Sequence, residues 1–213
     1  MMLKTGKYRF DFFKTRYWEG ANLTAQTEMP ILKRNHFMPN NVISFTERNT
    51  KNKKKYWIDH FVDDVNFECV WNRLERYLPM YSKFAGVIGT DFSLYPNLPK
   101  TQCMWNCTRN RIIDYRLQSL DISVIPTASW YNKESLLWSL DGLPDNSSIA
   151  ISTNGCKNNP YVMKIFLYGV KVLQAKKTPF KLIICGNHIK ELDCYDNILY
   201  YQNFSQRWKE RTK

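Results

Sequence analysis

The sequence predicts an α/β fold built on a largely parallel sheet with alternating β/α units. Three observations carry this. Short β-branched runs recur along the chain, most of them are apolar throughout rather than alternating, and helical patterns separate them. A strand covered on both faces reads as a continuous apolar run, and strand–helix alternation with short loops implies right-handed crossovers between parallel neighbours. The candidate strands are residues 42–45, 57–62, 86–89, 122–126, 148–152, 181–185 and 198–201. Two arrangements fit that series, an incomplete β/α-barrel-like form and an open three-layer sheet. The helices recur without an obvious reversal point, which favours the barrel-like form.

The helices follow from spacing and end signals. Phe67, Val70, Trp71, Leu74 and Leu78 recur on one helical face. A second helix begins near Thr101, behind Pro99, and a short third one covers 133–140 with Asn132 as its cap. The fourth opens with Asn159 as cap and Pro160 at its first position. Its stripe is Val162, Ile165, Gly169 and Val172, and Gly169 allows the backbone close to the sheet. Beyond the β/α alternation there is no internal repeat.

Charge divides the chain into a basic aromatic arm (1–41), an α/β core (42–200) and a basic tail (201–213). Of the net +12, residues 1–55 hold twelve Lys/Arg against four Asp/Glu, and residues 206–213 hold four against one. A near-neutral core with basic ends suits an acidic partner, nucleic acid being the commonest, and it also serves solubility. The stretch KYRFDFFKTRYW places Lys7, Arg9, Lys14 and Arg16 among aromatic rings. Cations for phosphates and rings for bases are what single-stranded nucleic acid requires, while the same rings also suit an arm packed on the core. Lys53, Lys54 and Lys55 end a second basic segment, ERNTKNKKK, between two strands.

Other classes are disfavoured. No apolar run approaches the ~18 residues of a membrane span, and the first residues carry too many charges for a signal peptide. A cytoplasmic protein is expected, with its six cysteines as reduced thiols. Cys103 and Cys107 stand one helical turn apart but lack the second ligand pair of a zinc site. The glycine-rich nucleotide loops and the paired metal-binding histidines are missing. A carboxylate site using Mg²⁺ stays open, because oxygen ligands need no sequence signature.

Parallel strands bring their carboxyl ends to one edge, where such folds place ligands. The residues that follow the strands are Asp63 and Asp64; Asp91 and Ser93; Thr127, Ser129 and Trp130; Ser152, Thr153, Asn154 and Gly155; and Gly186, Asn187 and His188. That rim suits a metal-bridged phosphate, a nucleobase or a sugar. Plain structural roles fit the same residues: a helix cap for Asp63 or Asp64, loop amides for Asp91, a tight turn at 152–155 with Gly155 at positive φ, a surface imidazole for His188. Arg109 shares a helical face with Trp105, Ile112 and Ile113, whereas Arg111 points elsewhere. A guanidinium on the apolar side needs a carboxylate, with Asp91 and Asp63 the nearest in prospect, or a bound anion.

Five segments, DHFVDDVNFECVW (59–71), GTDFSLYPNLP (89–99), WNCTRNR (105–111), VIPTASW (124–130) and DGLPDNSSIAISTNG (141–155), resemble an uncharacterised family of bacterial, phage and mobile-element proteins, a domain of unknown function. The resemblance spans roughly residues 42–190. It implies no reaction. It implies a gene carried by phages or integrated elements, a bacterial cytoplasm, and motif residues Asp63, Asp64, Asp91, Ser93, Trp105, Asn106, Arg109, Arg111, Trp130 and Gly155. Three function classes follow: a nucleic-acid-binding protein of replication or transfer, gripping phosphates with its basic segments while the rim, Asn154 included, takes a nucleotide; an Mg²⁺-dependent nucleotide or phosphoester enzyme using Asp91, Asp63 and Arg109; and an inhibitor of a host defence or replication protein.

Overall fold

The structure, a computed structural model, describes residues 13–156 and 159–212. Lys7 and Arg9 lie outside the described residues. Among the described residues seven strands run in chain order: β1 (Val42–Ser44), β2 (Trp57–Asp59), β3 (Gly86–Ile88), β4 (Val124–Ile125), β5 (Ile149–Ser152), β6 (Leu182–Cys185) and β7 (Ile198–Tyr201). Helices α1 (Glu68–Asn72) and α2 (Leu74–Tyr81) follow β2, α3 (Lys100–Ser119) follows β3, α4 (Pro160–Lys177) follows β5, and α5 (Phe204–Arg211) ends the fold.

Every strand pair is parallel, in one sheet ordered β1-β2-β3-β4 and a second ordered β5-β6-β7. A parallel bridge between Thr127 and Ala150 joins them. There Ala150 N–H donates to the Pro126 carbonyl and Ala128 N–H to the Ala150 carbonyl, both at 2.9 Å.

The period of two along a strand divides inside from outside. Val42, Trp57, Ile88, Ile125, Ala150, Ile183 and Cys185 form one buried cluster, with Tyr201 packed against it and no helix residue in it. The alternate residues Ile43, Ile58, Val87 and Val124 pack with α1, α2 and α3, and Ile149, Ile151, Leu182 and Ile184 pack with α4. The inner faces of all seven strands therefore pack on one another, with helices on the outer face alone. That is the incomplete β/α barrel, and it settles the choice against an open three-layer sheet, which needs helices on both faces. Gly86 makes room for the Trp57 ring inside the barrel, since a Cβ there would come within 2.4 Å of it.

The barrel does not close through its backbone, because β1 and β7 are the unpaired ends of the strand order. Side chains span the seam. Tyr201 Oη donates to the Pro39 carbonyl at 2.5 Å, and Glu47 accepts from Arg207 at 2.7 Å and Arg211 at 2.8 Å. The basic tail is thus a helix docked by ion pairs to the loop after β1.

The described part of the arm is also docked. Tyr17 is buried in the core beside α3, Leu32 N–H donates to the Gly142 carbonyl, and Lys33 exchanges two hydrogen bonds with the Gln118 amide. Lys14 and Arg16 both lie against the Tyr17 ring. Three further details depart from expectation. The helix over 67–78 is broken at Arg73, whose φ of −142° leaves the helical region. Residues 133–140 form only a 3₁₀ turn at Ser135–Leu137, with Glu134 at the cap position and no side-chain cap; Asn132, ahead of that position, accepts from Ser135 N–H through Oδ1 at 2.7 Å. On α4 the Asn159 cap and Pro160 stand as expected, but the core-facing residues are Phe166, Val170 and Leu173, and Gly169 faces the Trp130 ring rather than the sheet.

Candidate functional site: a cleft at the strand ends

A cleft of about 790 Å³ opens beyond the carboxyl ends of β2, β3, β4 and β5. Each connection supplies a wall: Phe61 and Asp63 after β2, Asp91 and Ser93 to Pro96 after β3, Ala128 to Asn132 after β4, and Asn154 to Cys156 after β5. The first turn of α4 closes one side with Asn159, Tyr161 and Val162. Asp63, Asp91, Ser93, Trp130, Asn154 and Gly155 thus meet in one place. Gly155 has φ +78°, the positive value anticipated for the turn.

The loop after β3 is held open as a cleft wall by residues of the WNCTRNR segment. Asn106 Nδ2 donates to the Ser93 carbonyl at 2.7 Å, and Asn110 Oδ1 accepts from Phe92 N–H at 3.0 Å. Asp64 accepts from both the Ser93 amide and its hydroxyl, the latter at 2.8 Å. Arg109 stacks over the Phe92 ring at 3.7 Å, and its guanidinium pairs with Glu68 at 3.0 Å and Asn106 Oδ1 at 2.7 Å. The expected partner of Arg109, Asp91 or Asp63, is therefore corrected to Glu68, and Arg109 acts as a brace rather than an anion clamp.

Arg111 is corrected too. It is 1% exposed, and its Nε, Nη1 and Nη2 donate to the carbonyls of Asp141 (2.9 Å), Thr127 (3.1 Å) and Ser139 (2.9 Å). Three of its five N–H donors are engaged by backbone, so it fixes the loop after β4, and it does not line the cleft. Among the described residues no lysine, arginine or histidine lines the cleft.

Three carboxyl groups are held protonated toward neutrality. Asp91 borders the cleft, yet its Oδ1 is enclosed without a hydrogen-bond partner. Burial first, then the neighbouring Asp64 charge, push it up to about 7, against a hydrogen bond from Ser129 and the Arg111 charge. Asp114 lies on the face of α3 beneath Gly89, where a Cβ would meet its oxygens at 2.3 Å. Burial raises it to about 8, against the Arg111 charge. Asp59 points into the barrel at the end of β2, and burial raises it to about 7. His60 is the converse: its Nδ1–H donates to the Ile88 carbonyl (2.9 Å) and its Nε2 accepts from the Tyr81 hydroxyl (2.7 Å), and burial lowers it to about 4 and keeps it neutral.

The remaining expectations sort by edge. Lys55 and Lys83 precede β2 and β3, so the hollow lined by Asn52, Lys53, Lys54, Lys55 and Lys83 sits at the opposite, amino-terminal edge. His188 is an exposed imidazole paired with Asp193 at 2.7 Å. Trp130 donates its indole N–H to the Ile165 carbonyl at 3.2 Å, while Asn154 bridges Phe61 O and Asn203. All six cysteines are free thiols. Among the described residues no group of three His, Cys, Asp or Glu side chains is placed to hold a metal ion. Sequence reasoning missed Glu68, Asn110 and Asp114, whose roles are tertiary, and the cleft aromatics Tyr95 and Tyr161, which carry no periodic signal.

The chain matches the family described as "Domain of unknown function (DUF4417)" over residues 21–202. The chain belongs to this family. The match takes in residues 21–41, wider than the span that the five segments mark. Two relatives of this family member are phage proteins. The Gene 1 protein of Mycobacterium phage L5 is 29% identical over 191 residues, covering 87% of this chain and 82% of the relative. The Gene 1 protein of Mycobacterium phage D29 is 28% identical over 192 residues, covering 87% and 69%. No solved structure matches the chain. Among the described residues no helix is long and apolar enough to cross a membrane.

Two predictions follow from the buried charges. Arg111→Met should cost about 3–5 kcal/mol in urea denaturation, the range for uncovering buried polar partners; a midpoint equal to wild type would show that the clamp contributes nothing. Stability should also fall as pH rises from 6.5 to 8.5. Unfolded carboxyls titrate near 3.9, so between that value and 7–8 the folded state holds protons on Asp59, Asp91 and Asp114 that the unfolded state has lost. His60 opposes this only below about 6.5, where the unfolded imidazole takes up a proton. Thermal melts across that range check the slope, and Asp114→Asn should remove its upper part.

Proposed function

We propose that this protein holds a small organic ligand in the strand-end cleft and exchanges a proton with it through Asp91. The observation that carries the reading is Asp91 itself, a carboxyl bordering the cleft with an enclosed, unpartnered Oδ1. A carboxyl brought near neutrality is matched to general acid–base work. The cleft's volume lies in the range of small-molecule sites, and its position is the one that β/α barrels use. The magnesium alternative is weaker, since Asp64 is engaged by Ser93 and Arg109 by Glu68.

The test is protein-observed NMR with a fragment set of neutral heterocycles, sugars and aliphatic amides. Fragments should shift Trp130, Gly155 and Tyr161, with affinity changing about neutral pH in wild type and flat in Asp91→Asn. Fragments that shift only residues away from the cleft would refute the reading.

A second reading places a nucleic acid on the other edge. The hollow of about 410 Å³ there is walled by Lys53, Lys54, Lys55, Lys83 and Asn52. Lys53 is tied to the Arg48 and Thr50 carbonyls, whereas Lys54, Lys55 and Lys83 have no acidic partner among the described residues, which supports a polyanion as the guest. Anisotropy with a single-stranded oligonucleotide should show affinity falling steeply with salt. Replacing Lys54, Lys55 and Lys83 together by Glu should reduce the log–log slope by about 2, at ~0.7 per phosphate contact. A slope unchanged by the triple substitution would remove this reading.

A further inference from the structure

Resting on the cleft reading above, we infer that the ligand is a nucleobase, presented as a nucleoside and held edge-on by Asp91 between aromatic walls. The lining is rich in rings: Phe61, Tyr95, Trp130, Tyr131, Tyr161 and Phe166 all border the cleft. Ring stacking on a base is sequence-tolerant and contributes roughly 1–3 kcal/mol per base.

Trp130 is built as a fixed platform. Its indole N–H is anchored to Ile165 O, and one part of the ring lies over Gly169, where a Cβ would stand 2.0 Å from it. Only a glycine at that position allows the ring to lie against α4, and the rest of the indole borders the cleft. Tyr161, 68% exposed, and Tyr95, 50% exposed, stand at the mouth with no packing role in the core.

The polar supply separates a base from a sugar. Several cleft polar groups are already engaged: Ser93 Oγ with Asp64, Ser152 Oγ with Cys185 O, and both ends of the Asn154 amide. The Ser129 hydroxyl is given to Asp91, and what remains is the rest of Asp91, Asp63, the Nδ2 groups of Asn132 and Asn159, and the tyrosine hydroxyls. A sugar with a hydroxyl on nearly every carbon would leave many hydrogen bonds unmade in such a cleft, each a desolvation loss. A flat heterocycle asks for two or three partners along one edge and a ring face to lie on. Phe61, Leu94, Ile151, Val162 and Ile165 supply the remaining apolar contact.

The experiment titrates full-length protein with adenosine, guanosine, cytidine and uridine, with ribose and methyl glucoside as controls, following the Trp130 indole N–H signal. At least one nucleoside should bind with that signal shifted upfield by a stacked ring. Tyr161→Ala, an exposed position that leaves the core intact, should weaken it several-fold; Trp130→Ala, followed through the Gly155 amide because the indole signal is gone, should weaken it tenfold or more, with Trp130→Phe recovering most of the loss. Neutral fragments that occupy the cleft while all four nucleosides fail would overturn the nucleobase assignment and leave the cleft reading standing. Binding of the sugars with no nucleoside bound would overturn it equally. If no probe reaches the cleft, both fall.

Discussion

Arg111 lies sealed inside the protein with its guanidinium shared among three backbone carbonyls of the connection after β4. A charge in that position is tolerable only when carbonyl dipoles and nearby acids replace the water it has lost. Those dipoles belong to Thr127, Ser139 and Asp141, so the chain beyond β4 can take only one path. Gly142 completes the arrangement: its φ of +75° and missing Cβ leave space for the Arg111 side chain beside the Pro30 carbonyl. The connection after β4 and the early segment that Leu32 ties to Gly142 both answer to this one buried cation, and its charge works against the burial that raises Asp91 and Asp114.

The WNCTRNR segment has a mechanical meaning. Asn106, Arg109, Asn110 and Arg111 lie within two turns of α3; the first three engage Phe92 and Ser93, Arg109 adding Glu68, and Arg111 engages the loop after β4. A helix with four braces along its length converts a flexible Pro/Asn loop into a wall. The residues at the cleft surface are few, and the residues that keep them there are many. This explains why a motif of such polar character sits mostly out of reach of any ligand.

Much of the fold was legible in the sequence because continuous apolar runs mark strands covered on both sides, and because Asn159-Pro160 and Gly155 are strong local signals. The barrel was harder to read. Inner and outer residues differ by one position along each strand, and both sets are apolar here, so composition cannot say which face curls inward. For Arg109 the helical-stripe argument held, since it lies over the Phe92 ring and pairs with a carboxylate. For Arg111 it failed because α3 buries Asn110, Arg111, Asp114 and Gln118 along with its apolar residues, so its hidden face is not its greasy face. The Glu68 partner of Arg109 lies 41 positions away, beyond any local rule. The site's carboxyls and Trp130 were visible as residues that follow strands; its tyrosines were not, because Tyr95 lies in an irregular loop and Tyr161 on the outward side of a helix start.

Strand order that simply follows chain order has a consequence for how such a site diversifies. Each wall of the cleft comes from a separate connection, and only the one after β4, through the Thr127–Ala150 bridge, takes part in the backbone pairing that binds one strand to the next. Lengthening or exchanging one connection therefore recuts one side of the opening while the other sides keep their shape. A scaffold of this kind lets guest preference drift loop by loop among descendants, with the frame inherited unchanged.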